Sequence, residues 1–115
     1  MSKKLLFTLT ILTIILTATI TLTVNNKSAK LSKAEVETAI NQAKHFYRQE
    51  KDKGRDFSNS PCLSNALLPD WVVDIAHNPR QDEDDLPQNQ CPAYREGKAK
   101  HFVELDPEGN LIRFQ

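Results

Sequence analysis

Four side chains with different chemistries lie close together near the middle of this chain. A carboxyl, an imidazole, an amide and a guanidinium group are supplied by Asp74, His77, Asn78 and Arg80. They fall at the end of a predicted strand and in the turn that follows, and loops on rigid scaffolds often carry binding groups. Arg80 can hold a carboxylate or a phosphate through two hydrogen bonds. In the alternative interpretation, Asn78 makes a turn with the proline that follows it, and Arg80 pairs with a nearby acid.

His101 is the fifth candidate for this binding site. Together with His77 and nearby carboxylates, it also defines an alternative function, that of a small enzyme or a metal-dependent factor. A cysteine hydrolase would need a thiolate, a hydrogen-bonded imidazole and an orienting group. No nucleophile signature surrounds Cys62 or Cys91. We therefore assign no catalytic residue and favour a binding protein over an enzyme.

Cys62 and Cys91 are the only cysteines of the chain. In a small exported domain, an even pair of cysteines predicts a disulfide bond. In the chain-entropy model, closing a loop of this length stabilises the fold by roughly 3–4 kcal/mol. We expect this bond to link the two segments that flank a predicted strand at residues 70–76.

An acidic run at residues 82–85 offers hard oxygen ligands of the kind that Ca²⁺ prefers. Its candidate ligands are Asp82, Asp84 and Asp85. The spacing does not match an EF-hand, since Pro87 stands where the glycine of the sharp turn should be. No two histidines have the spacing of a zinc site. The alternative is a solvated loop, and we predict no cofactor.

The elements that must position these groups begin with a helix over Lys33–Lys53. Ser32 and Glu35 match a capping box at its start, and Gly54 suits the left-handed turn after its end. Apolar side chains recur at helical spacing on one face, which is typical of an amphipathic helix that packs on a sheet.

Three strands are predicted after this helix. Residues 70–76 are aromatic and β-branched and end before a turn, with Trp71 expected on the core side. Residues 98–105 and 111–114 flank a Pro- and Gly-containing turn and predict a hairpin. Residues 64–68 are interpreted as a short helical turn. The expected fold is α+β, with one helix on a three- to four-stranded antiparallel sheet.

Residues Leu5–Val24 form an uncharged run without Gly or Pro. As a helix, this run would span about 30 Å, the thickness of a bilayer's hydrocarbon core. It follows Lys3 and Lys4, as a secretory signal would, but no small-x-small cleavage site follows it. We therefore favour a permanent anchor over a cleaved signal. A third interpretation is a strand, because residues 17–24 alternate between polar and apolar.

The expected organisation is a membrane anchor at 1–24, a linker at 25–31 and one small domain at 32–115. Lys3 and Lys4 belong to the 15 basic residues, so 13 basic and 15 acidic residues follow position 24. This balance argues against a nucleic-acid partner, which requires a basic face. The domain is expected outside the cytoplasm, on a single-pass anchor or, alternatively, secreted.

The predicted function is that of a membrane-tethered interaction domain, with residues 77–80 and 82–85 as its contact surface and a protein as a possible partner. A further alternative is an accessory subunit of a membrane complex. In that case the partner would be recognised by a threonine stripe on the anchor helix, Thr10, Thr13, Thr17 and Thr21. No motif identifies a protein family.

Overall fold

The computed structural model describes the backbone of residues 2–25 and 30–115, and the side chains of residues 2–15 and 30–115. The chain divides into two compact units, with the division between Leu31 and Ser32. The predicted linker at 25–31 lies largely outside the described residues, and so do the side chains of Thr17 and Thr21.

In the first unit, the described residues form one helix, α1, over Lys3–Asn25. The strand interpretation of residues 17–24 is therefore wrong. Threonine is accommodated in this helix because its hydroxyl can donate to a carbonyl one turn back. Thr8 donates to Lys4 O at 3.0 Å, and Thr10 to Leu6 O at 2.7 Å. Within the described part of the chain, no helix combines the length and the apolarity that a membrane span requires.

The second unit begins with helix α2, Lys33–Asp52. Ser32 caps it as predicted, since its hydroxyl accepts a hydrogen bond from the Glu35 N–H at 3.1 Å. The Glu35 carboxylate does not complete the capping box. It accepts a hydrogen bond from the Trp71 indole at 3.1 Å instead, which attaches the first turn of the helix to the sheet. Gly54 follows the helix with φ of 83°, as its predicted role requires.

A four-stranded sheet in the order β1-β2-β3-β4 forms the centre of this unit. Its strands are Cys62–Leu68, Trp71–Ile75, His101–Leu105 and Leu111–Phe114. The α+β class, the β2 strand and the β3–β4 hairpin are confirmed. The purely antiparallel sheet is wrong, because β2 and β3 run parallel. Parallel neighbours need a long crossover, and residues 76–100 supply it with two 3₁₀ turns, Asp82–Asp85 and Pro87–Asn89, and a short helix α3, Pro92–Arg95.

The predicted helical turn at residues 64–68 is also wrong, because this segment belongs to β1. β1 pairs antiparallel with β2, with register irregularities after Cys62 and after Ser64. The predicted disulfide is present between Cys62 and Cys91, whose Cα atoms are 4.9 Å apart. The sequence of β1 contains few β-branched or aromatic residues, so its conformation comes from pairing with β2 and from this covalent link.

Both faces of the sheet are covered near its centre. Trp71, Val73 and Ile75 are buried on the face that carries α2. On the opposite face, the crossover covers Val72 and Phe102 with Cys91 and Ala99. The crossover does not cover this second face completely, and a cleft remains beside Phe102.

Candidate functional site

A row of four side chains crosses the sheet at one level. Cys62 on β1 pairs with Asp74 on β2, Asp74 with Glu104 on β3, and Glu104 with Arg113 on β4. Register partners on neighbouring strands project to the same face. The parallel pairing of β2 and β3 therefore places two carboxyl groups side by side, with a guanidinium group next to them.

Asp74, Glu104 and Arg113 of this row form the floor of a cleft with a volume of about 90 Å³. The cleft lies on the face of the sheet that the crossover covers, and we call it the Asp74 cleft. Its polar and aromatic lining is contributed by three strands, the crossover and α3: Asp74, Arg80, Tyr94, Phe102, Glu104 and Arg113. The disulfide closes one side through Cys91.

Glu104 is buried and holds two arginines in place. Arg113 donates to it from Nε at 3.1 Å and from Nη2 at 3.4 Å. Arg80 donates to it from Nη1 at 3.4 Å. A buried carboxylate is costly unless it is paired and hydrogen-bonded, and the two guanidinium groups provide that pairing. Both remain partly exposed, with 40% of the Arg80 and 56% of the Arg113 side chain accessible.

Within residues 30–115, Asp74 has no such cationic partner at hydrogen-bonding distance. Its Oδ1 accepts a hydrogen bond from the Ile75 N–H at 3.0 Å. Among the described residues, its Oδ2 has no hydrogen-bond partner. Burial raises the pKa of Asp74, and the neighbouring charge of Glu104 raises it further, to about 8, although the Ile75 N–H and Arg80 act in the opposite direction. At neutral pH, Asp74 is therefore mostly a neutral carboxylic acid.

Arg80 joins the cleft to the acidic run of the crossover. Its Nε and Nη2 donate to Asp85 Oδ1 at 3.1 and 3.0 Å. Burial alone would lower the pKa of Arg80, but the hydrogen bonds and charges of Asp85 and Glu104 raise it. The guanidinium group stays charged and is held from two sides.

Phe102 and Tyr94 make the aromatic wall of the cleft. Their rings meet edge to face, with centroids 5.0 Å apart. The Arg113 guanidinium lies over the Phe102 ring, 5.2 Å from its centroid. This stacking orients Arg113, which also lines the cleft.

The His77 side chain is hydrogen-bonded within the fold and does not line the cleft. Its Nδ1 lies 2.9 Å from Asp84 Oδ1 and 2.8 Å from Ser60 Oγ, and its Nε2 lies 2.9 Å from Ser58 O. Both ring nitrogens are therefore engaged by neighbouring oxygens. The imidazole fastens the crossover to the segment before β1.

The Asp84 carboxylate is the central hydrogen-bond acceptor of this network. Its carboxylate accepts hydrogen bonds from the His77 N–H at 3.0 Å and from the Gln81 N–H at 2.8 Å. Burial alone would raise its pKa, but these bonds, together with those from Ser60 and the His77 ring, lower the pKa to about 2.

The calcium candidates are consequently not gathered at one point. Asp84 is buried in the turn, Asp85 pairs with Arg80, and Asp82 is exposed. Over the described residues, no group of three histidines, cysteines or carboxylates is placed to hold a metal ion.

The remaining predicted site residues lie elsewhere. Asn78 is exposed and forms a cis peptide bond with the proline after it. His101 is the register partner of Trp71 at the start of β2, whereas His77 follows the end of that strand. His101 packs against the Trp71 ring at 4.9 Å and lies 3.7 Å from Asp70. Of the five candidates, the structure brings Asp74 and Arg80 together in the cleft, and the two histidines stay apart.

Sequence reasoning did not identify Glu104, Arg113, Tyr94 or Phe102 as site residues. One signal was available, because Glu104 lies between apolar neighbours in a strand, where an acid calls for a partner. Its register partner Asp74 could not be identified from the sequence. An antiparallel arrangement of β2 and β3, as predicted, would have placed a different residue opposite Glu104.

Comparisons with protein-family models, with curated proteins and with solved structures find no match for this chain.

Proposed function

We propose that residues 32–115 form an extracytoplasmic binding domain that takes its ligand in the Asp74 cleft. The observation that carries this proposal is the neutral carboxyl group of Asp74, which lies beside two partly exposed arginines and has no side-chain hydrogen-bond partner among the described residues. A carboxyl group with a strongly raised pKa lowers the stability of the fold. Such groups are concentrated at functional sites.

The compartment is proposed from the disulfide. Disulfide bonds persist in oxidising compartments and are rare where thiols are kept reduced. Cys62 and Cys91 close the loop that contains β2 and most of the crossover. A cleft whose wall includes a disulfide would be damaged in a reducing compartment, which supports a site of action outside the cytoplasm.

We propose further that Leu5–Val24 attaches the domain to a membrane. The run carries no charge, and α1 exposes large apolar side chains around its circumference, among them Leu6, Phe7, Leu12 and Ile14. Exposed apolar surface of this extent marks a site of contact with a membrane or with a partner protein. Secretion after cleavage is the alternative.

Cell fractionation with N-terminal sequencing tests the location. The expected result is an intact chain in the membrane fraction, with the domain accessible to protease from outside the cytoplasm. A new N-terminus near Thr19 or Asn25 in a soluble fraction would show that the segment is a cleaved signal. Recovery of the protein with reduced cysteines from freshly alkylated cells would contradict the proposed compartment.

A ligand-observed NMR screen of the full-length protein tests the binding function. The panel contains small carboxylates, inorganic phosphate, primary amines, neutral sugars and short peptides. At least one class should bind the wild type and lose binding in Arg113→Gln. The matched control is Arg48→Gln, which removes an exposed arginine of α2 whose side chain makes no hydrogen bond or ion pair with the other described residues. Binding that is equal in both variants, or no binding by any class, would reject the cleft as the site.

A further inference from the structure

We propose that the Asp74 cleft recognises a carboxylate group, either of a small organic acid or of a peptide C-terminus. This inference rests on the proposed binding function and specifies its ligand. Some hydrogen-bonding groups of the cleft already have partners within the protein, and the groups that remain for a ligand determine which ligand fits.

The groups left in the cleft are mainly donors. Glu104 engages Nε and Nη2 of Arg113, but within residues 30–115 the N–H groups on Nη1 have no partner. Arginine has no acceptor atom, and its planar fork matches the two oxygens of a carboxylate. An acceptor-rich, planar anion therefore fits this part of the cleft.

Asp74 adds a donor of a different kind. In its neutral form, the carboxyl group can donate its proton to an acceptor, and a bond from a carboxylic acid to a carboxylate is short and strong. Burial and the charge of Glu104 together keep Asp74 neutral, and Glu104 also pairs with Arg113, so one carboxylate both favours the acid form and fixes the charged donor.

A cationic ligand fits this arrangement poorly. It would enter between the guanidinium groups of Arg80 and Arg113, and like charges at short distance repel. The one carboxylate that faces both arginines, Glu104, is already paired with them. A phosphate dianion is disfavoured as well, because its second negative charge would add to the repulsion from Glu104, which lines the cleft.

The dimensions of the cleft limit what part of the ligand enters it. Sites for whole drug-sized ligands have volumes of about 300–1,000 Å³, whereas this cleft has about 90 Å³. It therefore accepts an end group and the first carbons attached to it. The rings of Tyr94 and Phe102 line the cleft and provide apolar contact for those carbons.

Isothermal titration of the full-length protein with four probes tests the inference. The probes are propionate, a short peptide with a free C-terminus, the same peptide amidated at its C-terminus, and propylamine. The free peptide or propionate should bind, while amidation should weaken the peptide by about tenfold or more, since it removes a charge-assisted hydrogen bond. The ratio of the affinities for propionate and for the free peptide distinguishes the two sources of the carboxylate.

Three variants check that the cleft is responsible. Arg113→Gln and Arg113→Lys should each reduce carboxylate affinity by about tenfold, because both lose the planar fork, and Arg48→Gln should not. Arg113→Lys keeps a positive charge next to Glu104. A loss of affinity in this variant therefore cannot be explained by an unpaired buried carboxylate that unfolds the protein. Trp71 fluorescence confirms that each variant is folded.

The pH dependence gives a separate readout. The charged or titratable groups that face Asp74 are Glu104, Arg80, Asp84, Tyr94 and Arg113. Carboxylate affinity should fall by about tenfold as the pH rises from 7 to 9, because Asp74 then becomes an anion. Asp74→Asn carries a donor that cannot ionise, so the affinity of this variant should not fall over that range.

The outcomes separate this inference from the proposed function. If propylamine binds in the cleft and the carboxylates do not, the carboxylate assignment is wrong and the binding function stands. Carboxylate binding that tolerates both Arg113 substitutions would also overturn the assignment. If no probe and no member of the wider panel binds, both proposals fail.

Discussion

Asp74 and Glu104 are register partners on the parallel strands β2 and β3, so that two carboxyl groups lie next to each other on one face of the sheet. Like charges at directly opposed positions destabilise a sheet. The fold resolves the conflict in two ways. Two arginines pair with the buried Glu104 carboxylate, and burial together with the neighbouring charge of Glu104 lets Asp74 retain its proton.

The first prediction is that the free energy of unfolding falls as the pH rises from about 4 to about 8. The folded protein keeps the proton of Asp74 up to about pH 8, whereas the unfolded chain releases it near pH 4, so the folded state binds more protons over this window. Since Asp74 is partly exposed, we expect a loss on the order of 1–3 kcal/mol. Urea denaturation followed by Trp71 fluorescence measures it.

Asp74→Asn is the control for this effect. This variant should be more stable than the wild type at pH 8. Its free energy of unfolding should not fall through this effect between pH 4 and 8, because an amide does not titrate. If wild type and Asp74→Asn change in parallel between pH 4 and 8, Asp74 does not carry the raised pKa.

The second prediction concerns the turn that Asp84 fixes. Asp84→Asn should lower the free energy of unfolding at pH 7 by about 2–3 kcal/mol, because the carboxylate accepts backbone bonds from His77 and Gln81. Its pKa is lowered to about 2. This contribution is therefore complete above about pH 4 and disappears as the pH falls toward 2.

The matched control is Asp82→Asn, which changes an exposed carboxylate in the same acidic run. It should alter the stability by less than about 0.5 kcal/mol. Equal effects of the two substitutions would mean that the net charge of the run matters and the buried bonds do not.

The third prediction tests the contact between α2 and the β3–β4 turn. Gly109 has φ of 89°, and a Cβ at this position would collide with the Tyr47 ring, whose hydroxyl donates to Pro107 O at 2.7 Å. Gly109→Ala should destabilise the fold by about 2–4 kcal/mol, from backbone strain and overpacking together. Thermal unfolding measures the loss.

Gly97→Ala separates these two costs. Gly97 has φ of 76°, but a Cβ there would meet no atom within 4 Å. Only the strain of about 1–2 kcal/mol is expected. A Gly109→Ala variant as stable as Gly97→Ala would show that Tyr47 does not pack against the turn.

The fourth prediction is that the double variant Cys62→Ala/Cys91→Ala loses about 3–4 kcal/mol of stability relative to the oxidised wild type. The bond links residues 29 positions apart. In a reducing buffer, the wild type should approach the stability of the double variant. No difference between the oxidised wild type and the double variant would contradict the stabilising role of the bond.

The parts of the fold that could be predicted from sequence are those that depend on local signals. Ser32 and Gly54 mark the ends of α2 through capping chemistry, which acts within a few residues. The β3–β4 hairpin follows in the same way from its Pro- and Gly-containing turn. The disulfide could be predicted because the chain has only two cysteines.

The parts that could not be predicted depend on contacts between distant segments. The β1 strand is held by pairing with β2 and by Cys91, although its own residues have low strand propensity. The parallel alignment of β2 with β3 depends on the path of the crossover. For this reason, Asp74 and Arg80 could be proposed as site residues, but their neighbours Glu104 and Arg113 could not.

His77 shows the limit of reading function from residue type. A histidine beside an acid and a serine has the composition of a catalytic site, yet Ser60 is fully buried and shares Nδ1 of the ring with Asp84. The same polar residues satisfy each other's hydrogen bonds in the turn. Their spacing in the sequence does not distinguish these two uses.

The central claim is that the Asp74 cleft is the binding site, and amide chemical-shift mapping tests it most directly. In the isotope-labelled full-length protein titrated with propionate at pH 6.5 (a value below the raised pKa of Asp74), the largest shifts should fall at Asp74, Phe102, Glu104 and Arg113. The same titration of Arg113→Gln should show much smaller shifts. Shifts that concentrate instead around Leu68 and Trp71, or that persist unchanged in Arg113→Gln, would contradict the account.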